Sequence, residues 1–269
     1  MKKALTMAAI ALSMAACTEE QGKQLVKFDI SGFSIMQEEM TKSTPAEANM
    51  TDIWIYDLAS GSPVELLHQT ATDDNFGTPE LLMDYGQHSL TIVASRGENP
   101  TYGGGNLTWT KPRDTYGKVL PLEVSTSTTS VSAALPMRAA ALKLVPTDAM
   151  PDGTTRIEIA FDQSKSMVLA STQGTAVERA TTTLNYTQSH WGTHTAAAAY
   201  SLCPSAEAWQ TEVEVTVYGA GDAVISHFIV PNVPMQQNHR TVLTGEVYGR
   251  TSGMTITLED GWEDDGMNF

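Results

Sequence analysis

Residues 211–217, TEVEVTV, decide the fold class, because a valine follows a polar residue three times in strict alternation. Successive side chains of a β-strand point to opposite faces, so this pattern predicts a strand with its valines in a core and its glutamates in water. Such a half-buried strand is typical of an antiparallel sheet. The GAGD sequence at 219–222 separates it from a second apolar run at 223–230, and this spacing predicts a β-hairpin.

Similar alternation recurs on both sides of this hairpin. It predicts further strands at 25–30, 52–58, 88–95, 138–145, 156–161 and 254–258. Residues 52–58 carry apolar side chains on both faces, since Ile53 and Ile55 oppose Trp54 and Tyr56. We interpret 76–84 as a short turn or strand and the glycine-rich 100–106 as a loop. Many short strands between Gly and Pro turns predict an all-β chain built from β-sandwiches.

The natural domain seam lies near Pro136. A Ser/Thr-rich stretch of low core potential, 125–132, precedes it, and a new apolar strand pattern follows. We therefore predict an N-terminal β-sandwich domain at 17–136 and a C-terminal one at 137–269. Both lengths lie within the ordinary range for domains.

The first 20 residues have the pattern of an export signal. Two lysines precede an uncharged run of 13 residues, 4–16, which is too short for a membrane span of roughly 20. Residues 14–17, MAAC, resemble the lipobox of bacterial lipoproteins, with Met14 where leucine is usual. The resemblance implies a signal peptide at 1–16, lipidation of Cys17 and attachment to the outer membrane through lipid. Glu19 and Glu20 resemble the acidic export segment of surface lipoproteins in Bacteroidetes, and a solvated linker is the alternative.

Composition and motifs exclude some classes of function. A formal net charge of −15 excludes nucleic acid as a partner, because binding to phosphates needs basic patches. Cys203 is expected to be a small buried hydrophobe, and the pair His190 and His194 lacks a third ligand nearby in sequence. No Gly-x-Ser-x-Gly elbow occurs, so we predict no catalytic, cofactor or metal site. Three tryptophans either stack on sugars or plug the ends of the sandwiches: Trp109, Trp191 and Trp209.

Five segments together resemble the fimbrillin-type proteins of the Bacteroidales. They are MTDIWIYDLASG at 50–61, LMDYGQHSLTIVAS at 82–95, MRAAALKLV at 137–145, NHRTVLTGEVYG at 238–249 and DGW at 260–262. The resemblance implies two tandem transthyretin-like β-sandwich domains. It also implies assembly with fimbrial subunits by donor-strand pairing.

Two features favour a lipidated anchor or accessory subunit over a shaft subunit. In the best-known branch of that family, an arginine-directed protease removes the first strand. This chain has no arginine before Arg96, and Lys42 is the nearest basic residue after the first predicted strand. A resident strand at 254–258 and a short acidic tail also leave no long donor extension. A surface lipoprotein that binds glycans or host proteins is the alternative, and a hydrolase is a weaker one.

Overall fold

The computed structural model describes residues 22–32, 50–249 and 253–260, which form an all-β chain with two short 3₁₀ helices, Gln188–His190 and Ala220–Asp222. In chain order the strands are β1 Lys23–Ser31, β2 Asp52–Asp57, β3 Val64–Thr70, β4 Glu80–Asp84, β5 Gly86–Ser95, β6 Thr101–Gly103, β7 Asn106–Thr108, β8 Thr115–Val124, β9 Ser130–Ala134, β10 Ala139–Pro146, β11 Arg156–Gln163, β12 Ser166–Val168, β13 Gln173–Gly174, β14 Glu178–Asn185, β15 Ala197–Leu202, β16 Trp209–Tyr218, β17 Val224–Met235, β18 His239–Gly245 and β19 Thr255–Asp260.

The first sandwich packs a three-stranded sheet, β4-β1-β9, on a four-stranded sheet, β3-β2-β5-β8. Strand β1 is central in the smaller sheet, antiparallel to β4 and parallel to β9. The inward side chains of both sheets meet in one apolar core, as their alternation requires. Its buried members are Val26, Phe28, Ile30, Met50, Ile53, Ile55, Met83, Leu90, Ile92, Ala94, Val124, Ala133 and Leu135.

The second sandwich repeats this strand order. Its first strand, β10, is again antiparallel to the fourth, β15, and parallel to a late strand, β18. The facing sheet, β14-β11-β16-β17, corresponds to β3-β2-β5-β8, and the valines of 211–217 lie in the core between the sheets. The difference is β19, which extends the β15-β10-β18 sheet by one antiparallel strand.

A small fifth sheet, β13-β12-β7-β6, joins the two sandwiches. Strand β7 comes from the segment between β5 and β8, whereas β12 follows β11, so the sheet combines residues from both sides of position 136. It covers the outer face of β2 and β5, where Trp54 and Val93 pack against Trp109, Met167 and Leu202. The apolar residues on both faces of 52–58 therefore have a structural reason, since both faces are covered.

The predicted strands are confirmed, most of them to within a residue or two at their ends, and they are β1, β2, β5, β10, β11, β16, β17 and β19. The predicted hairpin is confirmed too, because β16 and β17 pair antiparallel across the short helix at 220–222. Segment 76–84 contains β4. The first sandwich's strands end at Ala134 and the second sandwich's begin at Ala139, while the division into domains at residue 136 stays a prediction.

One interpretation of local sequence was wrong, and one further strand was not predicted. The predicted loop at 100–106 contains β6 and the start of β7, which turn through Gly104 and Gly105 at positive φ. The Ser/Thr-rich 125–132 contains the start of β9, whose partner is the distant β1. The hydrophobic pattern did not reveal these strands, because they are short and consist largely of small or polar residues. Their pairing with other strands, and not their hydrophobicity, determines that they are strands.

Candidate functional site

Strand β1 fills a groove in the first sandwich. Val26, Phe28 and Ile30 are buried to 2% exposure or less, while the residues between them are exposed. The described part of β1 pairs on both sides, with Lys27 opposite Glu80 of β4 and Ser130 of β9. No direct pairing joins β4 to β9 within the described residues, so β1 alone makes them one sheet. A chain lacking β1 would expose three apolar pockets and two rows of unpaired backbone groups.

Hydrogen bonds from the backbone fix the strand in this groove. The N–H of Phe28 donates to Pro79 O at 2.8 Å and the N–H of Ile30 donates to Gly77 O at 2.8 Å. At the end of the strand Gly32 has φ +100°, and a Cβ there would lie 2.4 Å from the carbonyl oxygen of Leu135. Only glycine fits such a close approach without a backbone shift. The local sequence therefore sets where β1 ends.

The outer face of β1 carries an apolar pair. Leu25 lies opposite Leu82 of β4, and the two side chains are 51% and 55% exposed. Lysines of β1 lie on the same face, and isolated exposed leucines are normal on protein surfaces. This pair is too small to define an interaction surface by itself.

The predicted modification and processing residues lie outside the described part of the chain. They are Cys17, Glu19, Glu20 and Lys42. Their roles stay predictions. No helix within residues 22–32, 50–249 or 253–260 has the length and apolarity of a membrane span.

Cys203 is buried and lies after β15. Burial raises the pKa of its thiol to about 12, and the nearby Arg138 charge opposes this only in part. A thiol that stays protonated at neutral pH is a poor nucleophile, which agrees with its interpretation as a small core residue.

The histidine pair at 190 and 194 does not form a metal centre in the described structure. The Nδ1 atom of His190 accepts from the backbone N–H of Thr187 at 3.2 Å, at the start of a 3₁₀ turn. Within the described residues no three metal-ligating side chains come together.

The tryptophans do not form one exposed cluster. Trp109 is 1% exposed in the cluster between the sandwiches, so of its two alternatives sugar stacking is contradicted and a packing role remains. Trp191 and Trp209 pack against the core of the second sandwich and donate to backbone carbonyls of Thr154 and Asp162. All three therefore have a packing role.

A pocket of about 210 Å³ lies at the open edge of the second sandwich. It is bounded by the loop 111–113 on one side and by the edge strands β14 and β15 on the others. Lys111 Nζ donates to the carbonyl oxygen of Thr183 in β14 at 3.3 Å, so the loop is joined to the sandwich edge. Sequence pattern does not reveal this pocket, because the loop 111–113 lies about 70 residues or more before the two strands, at 182–185 and 198–200, that form its other walls. The lining residues are Lys111, Pro112, Arg113, Thr182, Leu184, Asn185, Ala198, Ala199 and Tyr200.

Comparison with known families gives one match, over residues 100–268, which is more than half of the chain. The chain belongs to the family of unknown function DUF6562. The matched range takes in the joining sheet, the pocket and the whole second sandwich. No protein with curated annotation matches this DUF6562 chain.

Solved structures share the fold of this DUF6562 member at low sequence identity. A candidate cell adhesion protein from Bacteroides eggerthii has a TM-score of 0.50 and 12% identity, with 89% of this chain and 96% of that chain covered. A candidate polysaccharide-binding protein from Bacteroides thetaiotaomicron has 0.50 and 8%, with 91% and 100% covered. The fimbrial anchor protein Mfa2 from Porphyromonas gingivalis is less similar, at 0.44 and 11%, with 89% and 98% covered. At such identities the first two likenesses establish a shared fold and nothing more.

Proposed function

We propose that this protein is a surface lipoprotein that acts as a fimbrial anchor or accessory subunit and assembles with fimbrillins by donor-strand pairing. The two sandwiches with a repeated strand order are, in this proposal, tandem transthyretin-like domains. The adhesion role named for the Bacteroides eggerthii structure agrees with it. The partners are fimbrial subunits of the same assembly, and the place of action is the cell surface.

The central position of β1 carries the proposal. A strand that is bound on both sides, with its apolar side chains in three pockets, can be exchanged for a strand of the same alternation from another chain. Backbone hydrogen bonds would supply affinity, and the pockets for alternate side chains would supply specificity. β1 precedes all the other described strands of the sandwich in the chain, so its exchange would not interrupt their order.

Retention of β1 distinguishes an anchor from a shaft subunit. The side chain of Arg96 is 3% exposed and its Nη2 lies 3.1 Å from a carboxylate oxygen of Asp114, so a trypsin-like protease could not reach it in the folded chain. With β1 in place the groove is occupied and accepts no donor strand, so this subunit would end a series of linked subunits. Its own pairing with a fimbrillin would then use an edge strand, such as β19, which has a strand partner on one side only within the described residues. The lipid on Cys17, a few residues before β1, would then hold that end at the outer membrane.

Affinity capture of the tagged full-length protein from its own cells tests the proposal. A disulfide between the outward-facing registered positions, Asp29→Cys with Ser132→Cys, would lock β1 to β9, since neighbouring strands bring Cα atoms within disulfide range. We expect fimbrial subunits in excess with the wild type and with the locked variant alike. The Ser132→Cys single variant is the matched control.

The outcomes separate the alternatives. If fimbrial subunits are captured with the wild type but not with the locked variant, β1 has to leave its groove for assembly, as in a shaft subunit. Recovery of the protein alone, or with glycan, would reject the fimbrial role and favour a binding lipoprotein. Mass analysis of the N-terminal peptide from the same material tests the lipid on Cys17, and a mature chain that begins after Lys42 would reject the anchor.

A further inference from the structure

The pocket at 111–113 is lined by positively charged side chains, although the protein as a whole is acidic. The protein carries 31 acidic side chains against 16 basic ones, yet Lys111 and Arg113 line this pocket and no carboxylate does. Glu98 contacts the loop through the backbone N–H of Lys111 and is not part of the lining. Two cations at one pocket in an acidic molecule favour an anionic group, because the overall field would otherwise repel it.

The loop that carries these cations is held in place. Glu98 accepts the backbone N–H of Lys111 at 2.5 Å, and Lys111 Nζ reaches Thr183 O, which leaves two of its three donors available. The side chain of Arg113 lies over Gly97, where a Cβ would be 3.4 Å from Cδ of the arginine. A guanidinium has five N–H donors in a planar fork, so Arg113 can meet a carboxylate in addition to the contacts that it already makes.

The opposite wall offers neutral polar groups. Asn185 and Thr182 are among the residues that line the pocket, and neither side chain makes a hydrogen bond within the described part of the chain. Leu184 and Ala199 form an apolar floor from the core of the sandwich. Cations on one wall, hydroxyl and amide groups on another and an apolar floor fit a small molecule that carries one carboxylate and several hydroxyls.

The size limits the occupant. A volume of about 210 Å³ is below the roughly 300–1,000 Å³ of pockets that enclose drug-sized ligands. We propose that this pocket binds one acidic monosaccharide unit, a uronic or sialic acid, with Lys111 and Arg113 on its carboxylate and Asn185 and Thr182 on its hydroxyls. The site shares no residue with β1, β4 or β9, which form the groove, so either proposal can fail without the other.

Titration of the full mature chain with D-glucuronate, D-galacturonate and N-acetylneuraminate tests the site. Binding is read from the amide signals of Asn185 by NMR and from calorimetry, with D-glucose and D-galactose as neutral counterparts and acetate and sulfate as simple anions. We expect at least one acidic sugar to bind about tenfold or more tightly than its neutral counterpart and than either simple anion. We expect Lys111→Gln and Arg113→Gln each to weaken that binding about tenfold, while Lys118→Gln, outside the pocket lining, leaves it unchanged.

Three results would overturn the proposal. They are equal binding of neutral and acidic sugars, equal binding of acetate or sulfate and the acidic sugars, and no shift of the Asn185 amide with any sugar. Lys111 is exposed, so its variant is expected to fold even where the half-buried Arg113 is less tolerant.

Discussion

At the scale of single residues, Asp148 shows how one carboxylate organises a loop. Its two oxygens accept the backbone N–H groups of Val247, Tyr248 and Gly249 at 2.7, 2.8 and 2.7 Å. Burial alone would raise the pKa of Asp148, but these three donors together hold it below its usual range. The loop after β18 is thereby held to the loop after β10.

We expect Asp148→Asn to lower the free energy of unfolding by about 1–3 kcal/mol at pH 7, because a charged acceptor of three N–H groups is lost. A carboxylate with a depressed folded pKa stabilises above its unfolded value near 3.9, and this contribution is lost as pH falls through the folded pKa. Urea unfolding at pH 7 and pH 3 should show a smaller gap between variant and wild type at pH 3. Asp152→Asn, in the neighbouring exposed turn, is the control; a full gap at both pH values would contradict the account.

A second single-residue effect concerns His88. Its Nδ1 lies 2.5 Å from Asp57 Oδ2 and its Nε2 lies 2.8 Å from Asp84 O. Burial opposes the charge on both members of the pair. Their hydrogen bond prevails, so the pKa of His88 is raised and that of Asp57 is lowered.

The raised pKa of His88 stabilises the fold fully below its unfolded value of about 6.5, and that contribution is lost as pH rises through the folded value. We therefore expect the gap in unfolding free energy between wild type and His88→Gln to be larger at pH 5.5 than at pH 9. Guanidinium titrations at both pH values measure it. His239→Gln, in the second sandwich, provides a comparison, and a gap that grows with pH would reject the ion pair.

At the scale of elements, β1 shows what the sequence could predict. The alternation of 25–30 gave its buried face, and Gly32 marks its end. Its partner β9, with the sequence SVSAA, could not be found from pattern, because only Ala133 of its residues is fully buried and its partner is about 100 residues away. The groove could therefore be recognised as a site only from the tertiary pairing of β1. The pocket at 111–113 could be recognised only once the fold had brought that loop to β14 and β15.

We expect Phe28→Ala to lower the stability of the first sandwich by about 3–5 kcal/mol, since it removes a fully buried ring from a central strand. Leu25→Ala, on the exposed face of the same strand, should change stability by less than about 1 kcal/mol. Thermal unfolding of both variants measures the difference. Equal effects would mean that the two faces of β1 are not distinguished as the burial pattern indicates.

At the scale of the whole molecule, the joining sheet decides whether the two sandwiches unfold together. Trp54 and Val93 from one side and Met167 and Leu202 from the other enclose Trp109, whose indole is 1% exposed. A buried apolar interface couples the stabilities of the parts that it joins, whereas small polar interfaces between domains leave them free to move. The two sandwiches should therefore unfold as one unit in the wild type.

We expect Trp109→Ala to cost about 3–5 kcal/mol and to separate the unfolding of the sandwiches, because the cavity lies in the contact between them and not in either core. Native-state hydrogen exchange of amides in β5 and β16 measures this directly: one opening free energy in the wild type and two in the variant. Val224→Ala, at an exposed position of the second sandwich, should leave a single value. Two opening free energies already in the wild type would show that the joining sheet does not couple the sandwiches.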